Sequence, residues 1–125
     1  SPETTSANNN IVNCGEINSN TTSGTLEKVR DCVSIHFKEC TPSTFIATVD
    51  FGSLGLGLIS YQYQITGPSE NLCVVSLKLL KGPIAEYIGK EMVCKYDNKK
   101  SFEESDKTKS CEGPLYESLI GKYKK

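Results

Sequence analysis

The chain has few of the side chains that catalysis and metal binding use. Its 125 residues include no tryptophan, one methionine and one histidine, His36. His36 is therefore the only histidine that could act as a base for a nucleophile. A single histidine also cannot form a histidine cluster that binds a metal. The sequence also lacks a Gly-x-Ser-x-Gly nucleophile motif and a Gly-Lys-Ser/Thr phosphate loop. We therefore expect no enzymatic activity, no cofactor and no bound metal.

The sequence also lacks an excess of one charge sign and a long apolar run. Lysine and arginine total 14 against 15 acidic residues, and acids and bases alternate along most of the chain. Nucleic-acid-binding domains usually carry a basic patch, so we expect no nucleic-acid partner. No apolar run approaches the roughly 20 residues that cross a bilayer, so we expect no transmembrane segment.

Cysteine, by contrast, is abundant. The spacings contain no C-x-x-C, which argues against zinc or iron–sulfur ligation. An even number favours three disulfides and an oxidising compartment. The polar start at Ser1 is typical of the spacer that follows a removed signal peptide, so we expect an extracellular or cell-surface location. A lipid anchor on a residue before Ser1 is a further hypothesis. The cysteines are Cys14, Cys32, Cys40, Cys73, Cys94 and Cys111.

Hydrophobic periodicity predicts an α+β fold. Apolar residues recur at helical spacing over residues 25–40, and period-two alternation then predicts four strands, over residues 44–51, 51–66, 72–80 and 92–96. A short strand at Ile11 and Val12 would be a fifth. Residues 97–110 resemble a charged loop, and residues 114–122 a final helical turn or two. We expect one main helix on a four- to five-stranded antiparallel sheet, as in cystatin-like or NTF2-like folds, with residues 1–12 as a polar segment and 13–125 as one disulfide-stabilised domain.

The predicted helix restricts how the cysteines can pair. Cys32 and Cys40 lie eight residues apart, about 12 Å along a helix axis, whereas disulfide-bonded Cα atoms lie within about 7 Å. Each should therefore tie the helix to another element. We predict the pairs Cys40–Cys73, Cys32–Cys94 and Cys14–Cys111, although six cysteines allow many other arrangements.

Short motifs around these cysteines resemble small uncharacterised secreted or lipoprotein domains of archaea and bacteria. The similarity covers about residues 13–113 and implies an extracytoplasmic location and no known activity. The motifs are Asn13-Cys14-Gly15, Asp31-Cys32, Cys40-Thr41-Pro42, Cys73-Val74, Gly89-Lys90-Glu91-Met92-Val93-Cys94 and Cys111-Glu112-Gly113.

Residues 51–66 suggest a first functional hypothesis. Read as one strand, this stretch places Leu54, Leu56 and Leu58 on the face opposite its core side chains, so an apolar flank needs a cover. The C-terminal Leu115, Leu119 and Ile120 are one candidate cover. Another copy of the chain is the other, and we expect an extracellular structural subunit that self-associates into a filament or surface assembly. Ile11 and Val12 would take part through strand donation from the N-terminal segment.

The aromatic residues of the predicted sheet suggest a second hypothesis. Phe45, Tyr61 and Tyr63 would line a pocket between helix and sheet, in a surface-anchored, lipoprotein-type module that binds a small apolar ligand or peptide. This hypothesis requires that the helix leave space above Tyr61 or Tyr63. Asn20-Thr21-Thr22 is in addition an N-glycosylation sequon, which makes Asn20 a candidate glycosylation site.

Overall fold

The structure is a computed structural model that describes residues 11–55 and 57–123, without the side chains of residues 54 and 119–123. Three α-helices and six strands follow one another along this part of the chain. Short 3₁₀ turns lie at Gly52–Leu54 and Ala85–Tyr87. The elements are β1 (Val12–Ile17), α1 (Ser23–Glu39), β2 (Ser43–Phe51), β3 (Gly57–Ser69), β4 (Leu72–Lys81), β5 (Glu91–Tyr96), α2 (Phe102–Thr108), β6 (Ser110–Glu112) and α3 (Pro114–Tyr123).

All six described strands belong to one sheet, in the order β1-β2-β3-β4-β5-β6. The first pair is parallel, and the four other neighbouring pairs are antiparallel. The predicted α+β class, with a main helix and a mostly antiparallel sheet, is confirmed. The sheet has six strands rather than four to five, because β6, which pairs with β5, was not predicted. β1 matches the predicted short strand but continues to Ile17.

Local chemistry sets the ends of α1. The Thr22 hydroxyl accepts a hydrogen bond from the Thr25 backbone N–H at 3.4 Å, so the helix begins two residues before the predicted start. Cys40 adopts a left-handed conformation with φ of 53°, and its N–H donates to the Phe37 carbonyl at 3.0 Å. Pro42 cannot continue a helix, so the chain turns there into β2.

The sheet has one helix-covered face and one open face. The buried apolar side chains of the helices, including Val33, Phe37 and Leu115, all join the apolar clusters on one face. The other face carries Leu58 together with the polar Ser60 and Gln62. None of the buried apolar side chains described for the helices lies on this face, and the side chains of Leu119 and Ile120 fall outside the described residues. Leu115 therefore belongs to the core and is not a cover for Leu58, which is 44% exposed.

The disulfides are Cys14–Cys32, Cys40–Cys73 and Cys94–Cys111, with Cα–Cα distances of 5.5, 5.6 and 4.0 Å. Cys40–Cys73 is as predicted, whereas the predicted pairs Cys32–Cys94 and Cys14–Cys111 are wrong. β1 lies beside β2 under α1 and brings Cys14 to Cys32. β6 pairs with β5 and puts Cys111 directly opposite Cys94. Neither strand pairing is visible in local sequence patterns.

Two local predictions also need correction. Residues 51–66 are not one strand, because Gly52–Leu54 forms a 3₁₀ turn and β3 begins at Gly57. Gly55, at φ of 76°, reverses the chain between these elements in a conformation that favours glycine. Residues 97–110 contain α2, so Glu103, Glu104 and Asp106 are helical rather than part of a solvated loop.

Candidate functional site

The helix-covered layer consists of two halves that differ in packing. We call the first the sealed half, a continuous cluster of buried side chains. Its members are Phe37, Cys40, Ile65, Cys73, Val75, Leu77, Leu79, Met92, Cys94, Tyr96 and Leu115. The second, the groove half, has a smaller buried cluster of Val29, Val33 and Phe45. A cleft opens beside that cluster.

This cleft, the groove, has a volume of about 240 Å³. Val29 and Val33 of α1 form one wall, and Phe45 and Ala47 of β2 form part of the floor, with Tyr63 of β3 beside them. Ligand pockets in proteins are usually concave and mostly apolar, with a few polar groups that orient the ligand. The groove has this composition, and it lies where the sequence predicted a pocket between helix and sheet.

Three aromatic rings contribute to the groove. Phe45 and Tyr63 are stacked, with ring centroids 4.7 Å apart and an interplanar angle of 1°. Phe102 of α2 meets both rings edge to face, with centroid distances of 5.7 Å to each. Such pairs stabilise one another by about 0.5–1.5 kcal/mol beyond the burial of their area. The three rings therefore form the aromatic part of the groove lining.

Hydrogen bonds from the end of β5 hold α2, and with it Phe102, over the groove. The Tyr96 hydroxyl donates to the Asp106 carboxylate at 2.6 Å, and the backbone N–H of Asp97 donates to the Ser105 hydroxyl at 2.6 Å. The helix begins with a cap in which the Ser101 hydroxyl accepts from the Glu104 N–H at 3.2 Å. Sequence reasoning missed this helix, although Ser-x-x-Glu is a capping-box signature.

The Tyr63 hydroxyl is a polar group in this apolar setting. Burial, with the nearby Asp106 charge, raises the pKa of Tyr63 well above its usual value, so the phenol stays protonated. The hydrogen bond of Tyr63 to Thr44 uses its backbone carbonyl as the acceptor, at 3.0 Å. Within residues 11–55 and 57–123, no protein group forms a hydrogen bond with the hydroxyl itself.

Two exposed charges, Arg30 on α1 and Glu103 on α2, lie at the rim of the groove. Neither side chain forms a salt bridge with another residue of the described chain. The sequence analysis had singled out neither as a binding residue. Because they come from different elements, only the tertiary structure brings them to the same cleft.

The structure separates the predicted pocket residues. Phe45 and Tyr63 line the groove, whereas Tyr61 packs against the sealed half, with its ring centroid 6.2 Å from that of Tyr63. His36, the single histidine, lies at the end of α1, where its Nδ1 is 2.7 Å from the Thr41 hydroxyl. This contact gives His36 a structural partner at the helix end.

The predicted assembly residues do not form one surface among the described side chains. Leu58 lies on the open face, Val12 is 41% exposed on the edge strand β1, and Ile11 is half-buried before it. The Leu54 side chain and Leu56 fall outside the described residues. The predicted glycosylation residue, Asn20, is exposed in the turn between β1 and α1.

A second cavity, of about 400 Å³, lies on the open face beneath that turn. Ile46, Leu58 and Leu80 provide its apolar lining, and Asn20 and Lys81 lie among its polar residues. Its lining contains no aromatic ring. Unlike the groove, this cavity mixes polar and apolar side chains without an arrangement that favours one ligand chemistry.

Comparison with known proteins provides no relative, because no family model, curated protein or solved structure matches the chain. Among the described residues, no three His, Cys, Asp or Glu side chains cluster in a way that could hold a metal ion. Across the same residues, no helix is long and apolar enough to cross a membrane. The geometry of the groove is therefore the basis for proposing a function.

Proposed function

We propose that this protein is an extracytoplasmic, non-enzymatic binding module that holds a small apolar group in the groove. The observation that carries the proposal is the open cleft of about 240 Å³ over the Phe45–Tyr63 stack. It corresponds to the second of the two sequence-based hypotheses. Three disulfides support an oxidising location. Secretion, surface anchoring and a cystatin-like or NTF2-like fold stay predictions.

The volume of the groove restricts the size of the ligand. An apolar cavity of about 150 Å³ accommodates benzene, whereas pockets for drug-sized molecules measure about 300–1,000 Å³. At about 240 Å³, the groove suits one or two fused rings. An aromatic ring that buries about 150 Å² at about 25 cal/mol per Å² gains close to 4 kcal/mol, so a bare ring should bind with a Kd on the order of 1 mM.

Titration with indole, followed by NMR, tests this proposal. Indole at millimolar concentration should shift the resonances of Val29, Val33 and Phe102, which line the groove, and leave those of Val75 in the sealed half unchanged. Binding that saturates with a Kd on the order of 1 mM is the expected result. If indole produces no shift at the groove up to its solubility limit, the proposed function is wrong.

A substitution that fills the groove provides the matched control. Ala47→Leu adds three carbons to the groove floor and should abolish the indole-induced shifts, because the added side chain occupies the ligand volume. Ala85→Leu makes the same change at an exposed position outside the groove and should leave them unaltered. Equal indole binding by both variants would place the ligand elsewhere.

Self-association through the open face is a second candidate function, and the exposure of Leu58 beside Ile46 and Leu80 favours it. Light scattering coupled to size exclusion, over a range of concentrations, measures the particle mass. If this face is an interface, Leu58→Ser should shift the protein toward monomer. Val49→Ser, at a similarly exposed apolar residue on the opposite face, should not. A wild-type protein that stays monomeric at high concentration would exclude this candidate.

A further inference from the structure

The charges at the rim of the groove restrict the class of ligand that can bind there. This inference rests on the proposed binding function. Arg30 belongs to α1, whose Val29 and Val33 form one wall of the groove. Glu103 follows Phe102 in the chain and belongs to α2. One cleft thus combines an apolar, aromatic interior with one positive and one negative side chain at its mouth. Neither charge is neutralised by a salt bridge within the described chain.

A ligand that matches this arrangement needs an aromatic ring and two opposite charges close together. We propose that the groove binds a free aromatic amino acid, with its ring on the Phe45–Tyr63–Phe102 floor and its zwitterionic head group at the rim. The α-carboxylate would accept hydrogen bonds from the Arg30 guanidinium, whose planar fork suits a carboxylate. The α-ammonium would donate to the Glu103 carboxylate.

A peptide side chain is the main competing occupant, and its chemistry differs in one respect. An aromatic residue inside a peptide has amides in place of the free ammonium and carboxylate. It would leave Arg30 and Glu103 without charged partners. The two unpaired rim charges therefore favour the free amino acid over a peptide.

A ligand series that removes one charge at a time tests the inference by calorimetry or NMR at neutral pH. The series is L-phenylalanine, 3-phenylpropionate without the ammonium, 2-phenylethylamine without the carboxylate, N-acetyl-L-phenylalanine amide and toluene. We expect L-phenylalanine to bind most tightly. Each lost charge should weaken binding about two- to fivefold, the range for exposed ion pairs.

Two variants assign each charge to its partner. Arg30→Gln should weaken binding of L-phenylalanine and 3-phenylpropionate and leave 2-phenylethylamine unaffected. Glu103→Gln should do the reverse, weakening L-phenylalanine and 2-phenylethylamine only. Lys28→Gln and Glu39→Gln, at exposed positions of α1 outside the groove lining, are the matched controls and should change none of these affinities.

The possible outcomes separate the inference from the proposed function. If toluene or 2-phenylethylamine binds the groove as tightly as L-phenylalanine, the zwitterion inference is wrong, while the apolar binding function stands. If N-acetyl-L-phenylalanine amide binds as tightly, the occupant is a peptide side chain and the inference is again overturned. If neither indole nor any member of the series perturbs the groove, both the inference and the proposed function fail.

Discussion

The sealed half and the groove half pack the same sheet face with different results. In the sealed half, Ile65, Leu77 and Leu79 occupy neighbouring strands, and Leu115 of α3 joins their buried cluster. In the groove half, the corresponding volume is left to short side chains, since Ala47 and Ser34 both line the cleft. The cleft therefore forms where small residues lie beside α2. This helix has only seven residues and supplies Phe102.

The disulfides follow the same division. Cys40–Cys73 and Cys94–Cys111 belong to the sealed half, whereas Cys14–Cys32 joins β1 to α1 beside the groove. The three disulfides therefore cross-link the helix-covered layer on both sides of the groove.

The largest expected effect concerns the sealed half. Leu115→Ala removes a fully buried side chain and should lower the free energy of unfolding by about 2–5 kcal/mol, because the close-packed surroundings relax only partly into the cavity. Urea denaturation measures this loss. Ile35→Ala, at an exposed apolar residue of α1, is the control and should change stability by less than about 0.5 kcal/mol. Loss of indole binding by folded Leu115→Ala would contradict the independence of the two halves.

The next effect is a loss of stability at alkaline pH. Burial, with the hydrogen bond to Asp106, raises the pKa of Tyr96, and burial raises the pKa of Tyr63, each above the usual tyrosine value of 10.0. Above pH 10 the unfolded chain releases these protons while the folded chain keeps them. The free energy of unfolding should therefore fall as pH rises, by up to about 1.4 kcal/mol per pH unit for each tyrosine.

Urea denaturation between pH 9 and 11.5 checks this prediction. Tyr63→Phe removes the group beside the groove and should reduce the alkaline slope, with the contribution of Tyr96 in the sealed half left in place. Constant stability across this range, or an unchanged slope in Tyr63→Phe, would show that these phenols are not protected by the fold.

Adding volume to each half compares their packing directly. Val75→Leu inserts a methylene into the sealed half and should cost about 1–3 kcal/mol, because a filled core cannot accommodate it without strain. Ala47→Leu adds more volume but points into the cleft, so it should cost less than Val75→Leu. Thermal and urea unfolding of the two variants measure the difference, and the reverse order would mean that the groove is not open.

The smallest expected effect is at the cap of α2. Ser101→Ala removes the hydroxyl that accepts from the Glu104 N–H and should destabilise the protein by about 1 kcal/mol. Hydrogen exchange should quicken in α2 beside the groove and stay unchanged in β4 of the sealed half. Ser101→Asp retains a capping oxygen and should preserve the protection. Equal protection in the alanine variant would show that contacts other than the cap hold α2.

Local patterns predicted much of the fold but only part of the site. The helical spacing of Val29, Val33 and Phe37 and the strand alternation of β2, β4 and β5 depend on neighbouring residues, so they are readable from the chain. The structure places Phe45 and Tyr63 between helix and sheet, and their role as ligand contacts stays a prediction. α2 was missed because most of its seven residues are charged and its described buried residue, Ser105, is polar, so no apolar periodicity marks the helix.

By itself, the sequence determined the α+β class and the main helix. It also indicated that the six cysteines form disulfides, and none of the described cysteines is free. Only the tertiary structure decided that Cys14 bonds to Cys32 and Cys94 to Cys111, that β1 runs parallel to β2, and that Arg30 faces the same cleft as Glu103. The physical reason is distance along the chain. Periodicity records which side of an element is buried, but a cleft depends on which elements meet and how completely their side chains fill the space between them.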